Sequence, residues 1–152
     1  MSNQTPLFRY EDDPALPGWK RWELIDQPRF NHFLGPLHVR RHGEEAQVRM
    51  VPGPQHSNLA ESIHGGTLLG FMDVALFAAA RAFGLIDGAS AVTLDLSAQF
   101  LDSSVVDAPI VAHVDLLRET GRFLFLRGVV RQKDKPIAAF SGTVRKASPA
   151  RQ

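Results

Sequence analysis

The sequence predicts an α+β fold, a curled antiparallel sheet of about five to six strands wrapped around one long central helix. Three observations carry this. Between residues 65 and 83 the apolar side chains Leu68, Leu69, Phe71, Met72, Val74, Ala75, Leu76 and Phe77 cover nearly the whole circumference of a helix, and a helix apolar all round is surrounded by protein. Everything after it reads as strand. The breakers between those strands are short, and parallel strands need long crossovers, so neighbouring strands run antiparallel.

The elements follow in order. Residues 1–27 include the acids Glu11, Asp12, Asp13 and Glu23, two prolines close to Gly18, and both tryptophans, a composition that predicts an irregular arm with room for one strand. Residues 28–34 read as a short helix, with Pro28 at the start, Phe30, Phe33 and Leu34 on one side, and Gly35-Pro36 as the stop. Strands are expected at 37–41 and 46–51 around a Gly43-Glu44-Glu45 turn. The segment 52–63, rich in Pro, Gly, Asn and Ser, is loop. The long helix then ends at Gly84. Strands at 89–101, 108–118, 122–132 and 136–146 are separated by Asp102-Ser103-Ser104, Thr120-Gly121 and Lys133-Asp134-Lys135. The expected organisation is an arm and short helix over 1–35, one domain over 36–146, and a flexible tail over 147–152.

A chain of 152 residues, 44% hydrophobic and 22% charged, suits one globular domain with a sizeable core. It contains no cysteine, which excludes disulfides, thiolate metal sites and a cysteine nucleophile. The first ten residues lack the basic and apolar blocks of a signal peptide, and a cytoplasmic location is expected. The helix of 65–83 approaches membrane-spanning length, but Asp73 near its centre and Arg81 near its end favour a buried globular helix, so no membrane partner is expected. Net charge is +1, unevenly spread. Residues 118–152 hold nine bases and two acids, about +7, which leaves about −6 for the rest. That surface reads either as solvated strand faces or as a landing place for a phosphate-bearing small molecule. No nucleic-acid recognition motif occurs, so no nucleic-acid partner is expected. The histidines show no metal-ligand spacing and there is no HExxH, so no metal is assigned. A G-x-S-x-G elbow and a glycine-rich nucleotide loop are both missing.

The chemistry concentrates between Asn58 and Phe83. A polar approach ends in His64-Gly65-Gly66, and Asp73 follows seven residues past Gly66 on an otherwise apolar helix. A helix start offers free N–H groups to a developing negative charge, and glycines let a ligand come close to the backbone. An acid walled by Leu69, Leu76 and Phe77, its neighbours at three and four residues, is poorly solvated and costly unless it has a purpose or a partner. Together they suggest a site that polarises a carbonyl and attacks it or activates water to do so. The alternative is a structural acid that caps a backbone group or pairs near Arg81. His64 reads as an orienting residue rather than a base. Gly66 and Asp73 lie about 10.5 Å apart along a helix, too far for both to reach one carbonyl carbon. The site therefore pairs the glycine turn of one chain with Asp73 of another.

These residues resemble the hotdog-fold acyl-CoA thioesterases of the PaaI type, the group of phenylacetyl-CoA and 4-hydroxybenzoyl-CoA thioesterases. The similarity spans roughly residues 30–146 and is anchored on Asn58, His64-Gly65-Gly66, Asp73, the strand from Val92 to Ser97, and Ser141-Gly142-Thr143. The resemblance implies hydrolysis of an acyl-CoA to free acid and CoA, without a cofactor, in a homodimer or tetramer whose sites lie between subunits. It casts Asp73 as nucleophile or general base. The N–H of Gly65, with Gly66, would polarise the carbonyl, Asn58 would hold the carbonyl or the water, and Thr93 would orient water near the acid. Arg145 and Lys146 become candidates for the CoA phosphates. The run Phe123-Leu124-Phe125-Leu126 is core strand, one face of which could line an acyl tunnel. Two departures stand out: many relatives carry glycine where this chain has Glu61, and asparagine where it has Ser97. The rival readings are a non-catalytic acyl-CoA-binding or sensing protein and an enoyl-thioester hydratase or dehydratase on the same fold.

Overall fold

The computed structural model describes residues 8–25, 28–87 and 90–148. Among these residues eight strands form one sheet: β1 (Phe8–Asp12), β2 (Lys20–Leu24), β3 (Leu37–His42), β4 (Glu45–Met50), β5 (Val92–Phe100), β6 (Ile110–Glu119), β7 (Phe123–Gln132) and β8 (Lys135–Arg145). Among the described residues two α-helices accompany them, α1 (Phe30–Leu34) and α2 (Gly65–Ala82), with a short 3-10 helix at Pro54–His56. The spatial order is β1-β2-β3-β4-β6-β7-β8-β5, and every neighbouring pair is antiparallel.

Turn chemistry explains the tight hairpins. Gly43 takes φ +62 between β3 and β4, and Lys133 and Asp134 take φ +48 and +65 between β7 and β8. Two successive residues in the left-handed region match the twist of a two-residue hairpin. The inner face of the sheet is apolar at every second position, with Val39, Val48, Ala112, Val114, Leu124, Leu126, Val130 and Val144 all fully or nearly fully buried against α2. Gly142 lets the helix sit close, since a Cβ there would lie 2.5 Å from Leu76 Cδ1 and 3.1 Å from the Asp95 carbonyl oxygen. By length and composition α2 is apolar enough to cross a membrane, but its packing makes it the core helix.

The structure departs from the sequence-based expectation in three places. The sheet has eight strands rather than five to six, because the arm is a β1–β2 hairpin that continues the sheet from β3. Trp22 and Leu24 are buried there and Phe8 stacks on Trp22 with ring centroids 4.7 Å apart. Strands of five residues gain their stability from such neighbours, and their own pattern is too short to announce them. The strand expected from residue 89 starts at Val92, and Ala89 lies outside the described residues. Finally, α2 is not enclosed on all sides. Gly66, Leu69, Gly70, Asp73 and Phe77 share one strip at 100° per residue. That strip runs between β5 and α1 and is only partly covered, Leu69 being 40% exposed. On the α1 side Phe30 rests on Gly70, its ring 2.5 Å from where a Cβ would stand.

Candidate active site

Asp73 projects from the partly covered strip of α2 toward β5. There the register of β5 against β8 shifts between Thr93 and Asp95, with Leu94 as the extra residue. A bulge re-aims the side chains beside it. Here it turns Thr93 inward, and Thr93 Oγ1 donates to Asp73 Oδ1 at 2.6 Å. Beyond the bulge Leu96 and Ala98 face inward and Ser97 faces the other way, into a groove of about 660 Å³ on the outer face of the sheet. Ser97 therefore stands apart from the acid.

Asp73 makes no ion pair among the described residues. Arg81, further along the helix, places its guanidinium 4.9 Å from the Tyr10 ring centroid and reaches the Ile86 carbonyl instead. Asp73 is half-buried rather than sealed. Its neighbour Leu76 is fully buried, while Leu69 leaves the acid open on one side.

The start of α2 is built around His64, the N-cap residue. Its Nδ1 accepts the Gly66 N–H at 2.8 Å. This caps one of the free donors of the first turn, and it divides the two glycines chemically. Gly66 N–H is engaged, whereas Gly65 N–H has no partner among the described residues. Gly65 lies against β5 at its far end, where a Cβ would stand 3.6 Å from the Phe100 ring. Within one chain the glycine turn and Asp73 thus sit at opposite ends of the same strand.

Asn58 shapes the approach loop. Its Oδ1 accepts the N–H groups of Ala60 and Ser62 at 2.9 and 3.1 Å, and its own N–H donates to the Ser62 carbonyl. Its Nδ2 makes no hydrogen bond among the described residues. Glu61, at the tip, takes φ +59, the left-handed region that favours glycine. The Glu61 side chain points to solvent. Of the two basic candidates, Lys146 donates to Glu119 Oε1 at 2.9 Å and is largely covered. Arg145 is exposed and pairs in register with Val92, beside the Thr93 end of β5. Among the described residues no three His, Cys, Asp or Glu converge as metal ligands.

One residue escaped the sequence reading. His56 is 1% exposed, and its ring bonds backbone on both sides: Nδ1 accepts the Gly53 N–H at 2.9 Å and Nε2 donates to the Phe33 carbonyl. The sequence offered only its place two residues before Asn58 as a signal.

A family model described as the thioesterase superfamily matches residues 61–139, just over half of the chain. The chain belongs to the thioesterase superfamily. The sheet curled around α2 is the hotdog fold of this PaaI-like thioesterase. Among solved structures, a variant of the phenylacetic acid degradation protein PaaI from Thermus thermophilus is 27% identical, aligned over 77% of this chain and 97% of its own, with a TM-score of 0.64. Two others show the fold alone. Thioesterase superfamily member 2 from Mus musculus is 19% identical over 76% of this chain and 86% of its own, TM-score 0.64. A hypothetical thioesterase from Streptococcus pneumoniae, in a structure with coenzyme A, is 14% identical over 72% and 86%, TM-score 0.62. No curated protein matches the sequence. Membership places this thioesterase among thioester hydrolases as a general class.

Proposed function

We propose that the protein hydrolyses an acyl-CoA thioester to a carboxylic acid and CoA, at sites shared between two subunits. One observation supports this above the others. A half-buried carboxylate, without a cation among the described residues, is held by a hydroxyl near the start of β5, and a backbone donor with no partner among those residues waits at the other end of the same strand. β5 is an edge strand, bonded on one side only, to β8. It exposes Val92, Leu94 and Phe100, by 40%, 53% and 53%, and such an edge is a template for pairing. Antiparallel pairing of two β5 edges about a two-fold axis sets the Phe100 end of one beside the Thr93 end of the other. One subunit's Gly65 then faces its partner's acid.

In that arrangement Gly65 N–H binds the thioester oxygen as it gains charge. Loss of such a donor typically costs about 3 kcal/mol of barrier. Asp73 either attacks the carbonyl carbon, forming an anhydride that water then opens, or takes a proton from water as it attacks. In both routes the C–S bond breaks, the CoA sulfur leaves as thiolate and gains a proton, and the acyl group leaves as an acid. Thr93 fixes the carboxylate rotamer. Asn58 Nδ2 is a donor for the carbonyl or the water. The CoA phosphates fall to Arg145, with Lys146 available once it leaves Glu119. The reaction uses no cofactor, and the enzyme works in the cytoplasm.

The test is thiol release over a panel of aryl and aliphatic acyl-CoAs with the native chain and Asp73→Ala. Turnover that Asp73→Ala abolishes is expected. Saturable acyl-CoA binding without thiol release would favour the binding protein, and a change in double-bond absorbance the hydratase. Mixing Asp73→Ala with a chain disabled near Gly65 should restore part of the activity; no rescue would sink the shared site.

A further inference from the structure

The residues 53–56 and 64 join two parts of the molecule that are far apart in sequence, α1 and the start of α2. His56 is the joint. Its ring is buried to 1% exposure, so it reaches no ligand and moves no proton for one. Burying a polar ring is unfavourable unless its nitrogens are bonded, and both are. Nδ1 accepts the Gly53 N–H at 2.9 Å, and Nε2 donates to the carbonyl of Phe33, the penultimate residue of α1. The Phe33 ring stands edge-on against the imidazole, with centroids 4.8 Å apart. The backbone carbonyl of His56 accepts the His64 N–H at 2.7 Å. His64 is the residue whose ring caps α2 and whose carbonyl begins its hydrogen-bond ladder, to Leu68 N–H.

We propose that His56 is a positioning residue for thioester hydrolysis: its ring, anchored on Gly53 and α1, carries the carbonyl that holds the His64–Gly65 turn in place. The proposal rests on the reading of Gly65 N–H as the donor to the thioester oxygen. The seven residues between His56 and His64 are closed on one another by the Ser57–Ile63 bridge and by the Asn58 hydrogen bonds to Ala60 and Ser62, and they contain the left-handed Glu61. Those bonds shape the loop but reach neither α1 nor the body of α2. The anchored ring below the loop makes that link, because it ties the loop base to a helix packed on α2 through Phe30 and Gly70. Aim matters here, since a misplacement of about 1 Å costs on the order of 100-fold in rate.

Three substitutions separate the contacts. His56→Leu keeps bulk and removes both hydrogen bonds. His56→Asn retains an acceptor near the Nδ1 position, and His56→Gln a donor near Nε2. Each is measured for kcat and KM on the best acyl-CoA of the panel and for amide hydrogen exchange at His64, with Asp73→Ala alongside. His56→Leu should lose about 10- to 100-fold in kcat with KM within about threefold, and Asn and Gln should each recover part. The His64 amide should exchange at least about tenfold faster while β6 and β7 stay protected. An unchanged kcat in a folded His56→Leu, or unchanged His64 exchange, overturns the proposal. If His56→Leu does not fold, the Asn and Gln variants carry the same comparison. Full activity in Asp73→Ala would instead fault the reading of the site, and the exchange measurement still decides whether His56 holds the turn.

Discussion

Replacing Thr93 by valine removes one hydroxyl and almost nothing else. The side chains are nearly isosteric, and the lost bond is the 2.6 Å contact to Asp73 Oδ1. That length is typical of a hydroxyl donating to a charged carboxylate, an interaction of about 1.5–3 kcal/mol. At about 1.4 kcal/mol per factor of ten, the full loss from the transition state lowers kcat about 10- to 150-fold. Asp73 sits on a half-covered strip, so water can replace the hydroxyl in the ground state. The stability cost is therefore small, under about 1 kcal/mol, and the rate effect falls near the lower end, about tenfold. The assay is thiol release at saturating acyl-CoA for native, Thr93→Val and Thr93→Ser chains. Serine keeps the donor and should retain most of the rate. A valine variant within twofold of native would refute the argument, because Thr93 would then not be what orients the acid.

Three further outcomes follow from the geometry. Glu61 takes a left-handed conformation that costs a residue with a Cβ about 1–2 kcal/mol, partly offset by the greater chain entropy of glycine. Glu61→Gly should raise Tm by about 1–3 °C in calorimetry, and a fall would show that the glutamate has a stabilising contact in solution. Gly142→Ala puts a methyl 2.5 Å from Leu76 Cδ1 and 3.1 Å from a backbone oxygen, an overpacking cost of about 1–3 kcal/mol; chemical denaturation should show it, and an unchanged midpoint would mean that the helix can retreat freely. The hydrogen bond from His38, then that from the Ala15 N–H, holds the Asp13 carboxyl below its ordinary value. The unfolded chain thus binds this proton more readily, so the stability it contributes is present above the usual carboxylate range and is lost as pH falls through and below it. Urea unfolding between pH 6 and 3 should fall more steeply for native protein than for Asp13→Asn, and parallel curves would contradict the assignment.

Much of this fold is legible in one dimension. The largely apolar run of α2 demands a protein surround over most of its circumference, though not along the Leu69–Asp73 strip, and the short polar breakers after it demand hairpins; both are local consequences of hydrophobic periodicity and chain geometry. The same run makes Asp73 conspicuous, because one acid among leucines, phenylalanines and alanines needs a reason. The glycine pair announces close backbone approach. In each case the signal lies within one or two turns of chain.

Other features depend on residues distant in sequence, and only the folded molecule settles them. The β1–β2 hairpin is ordered by Trp22 joining the core and by Phe8 stacking on it, so its short strands carried too little pattern to be read alone. Thr93 reaches Asp73 because a bulge against β8 turns it, and a bulge is a property of two paired strands. Gly66 looked able to assist Gly65 until the His64 ring claimed its N–H. His56 looked like any other histidine until the carbonyl of Phe33, twenty-three residues earlier, accepted its hydrogen bond. Periodicity records which residues must leave water; it does not record which donor meets which acceptor once they have left, and that pairing sets the geometry of the candidate site.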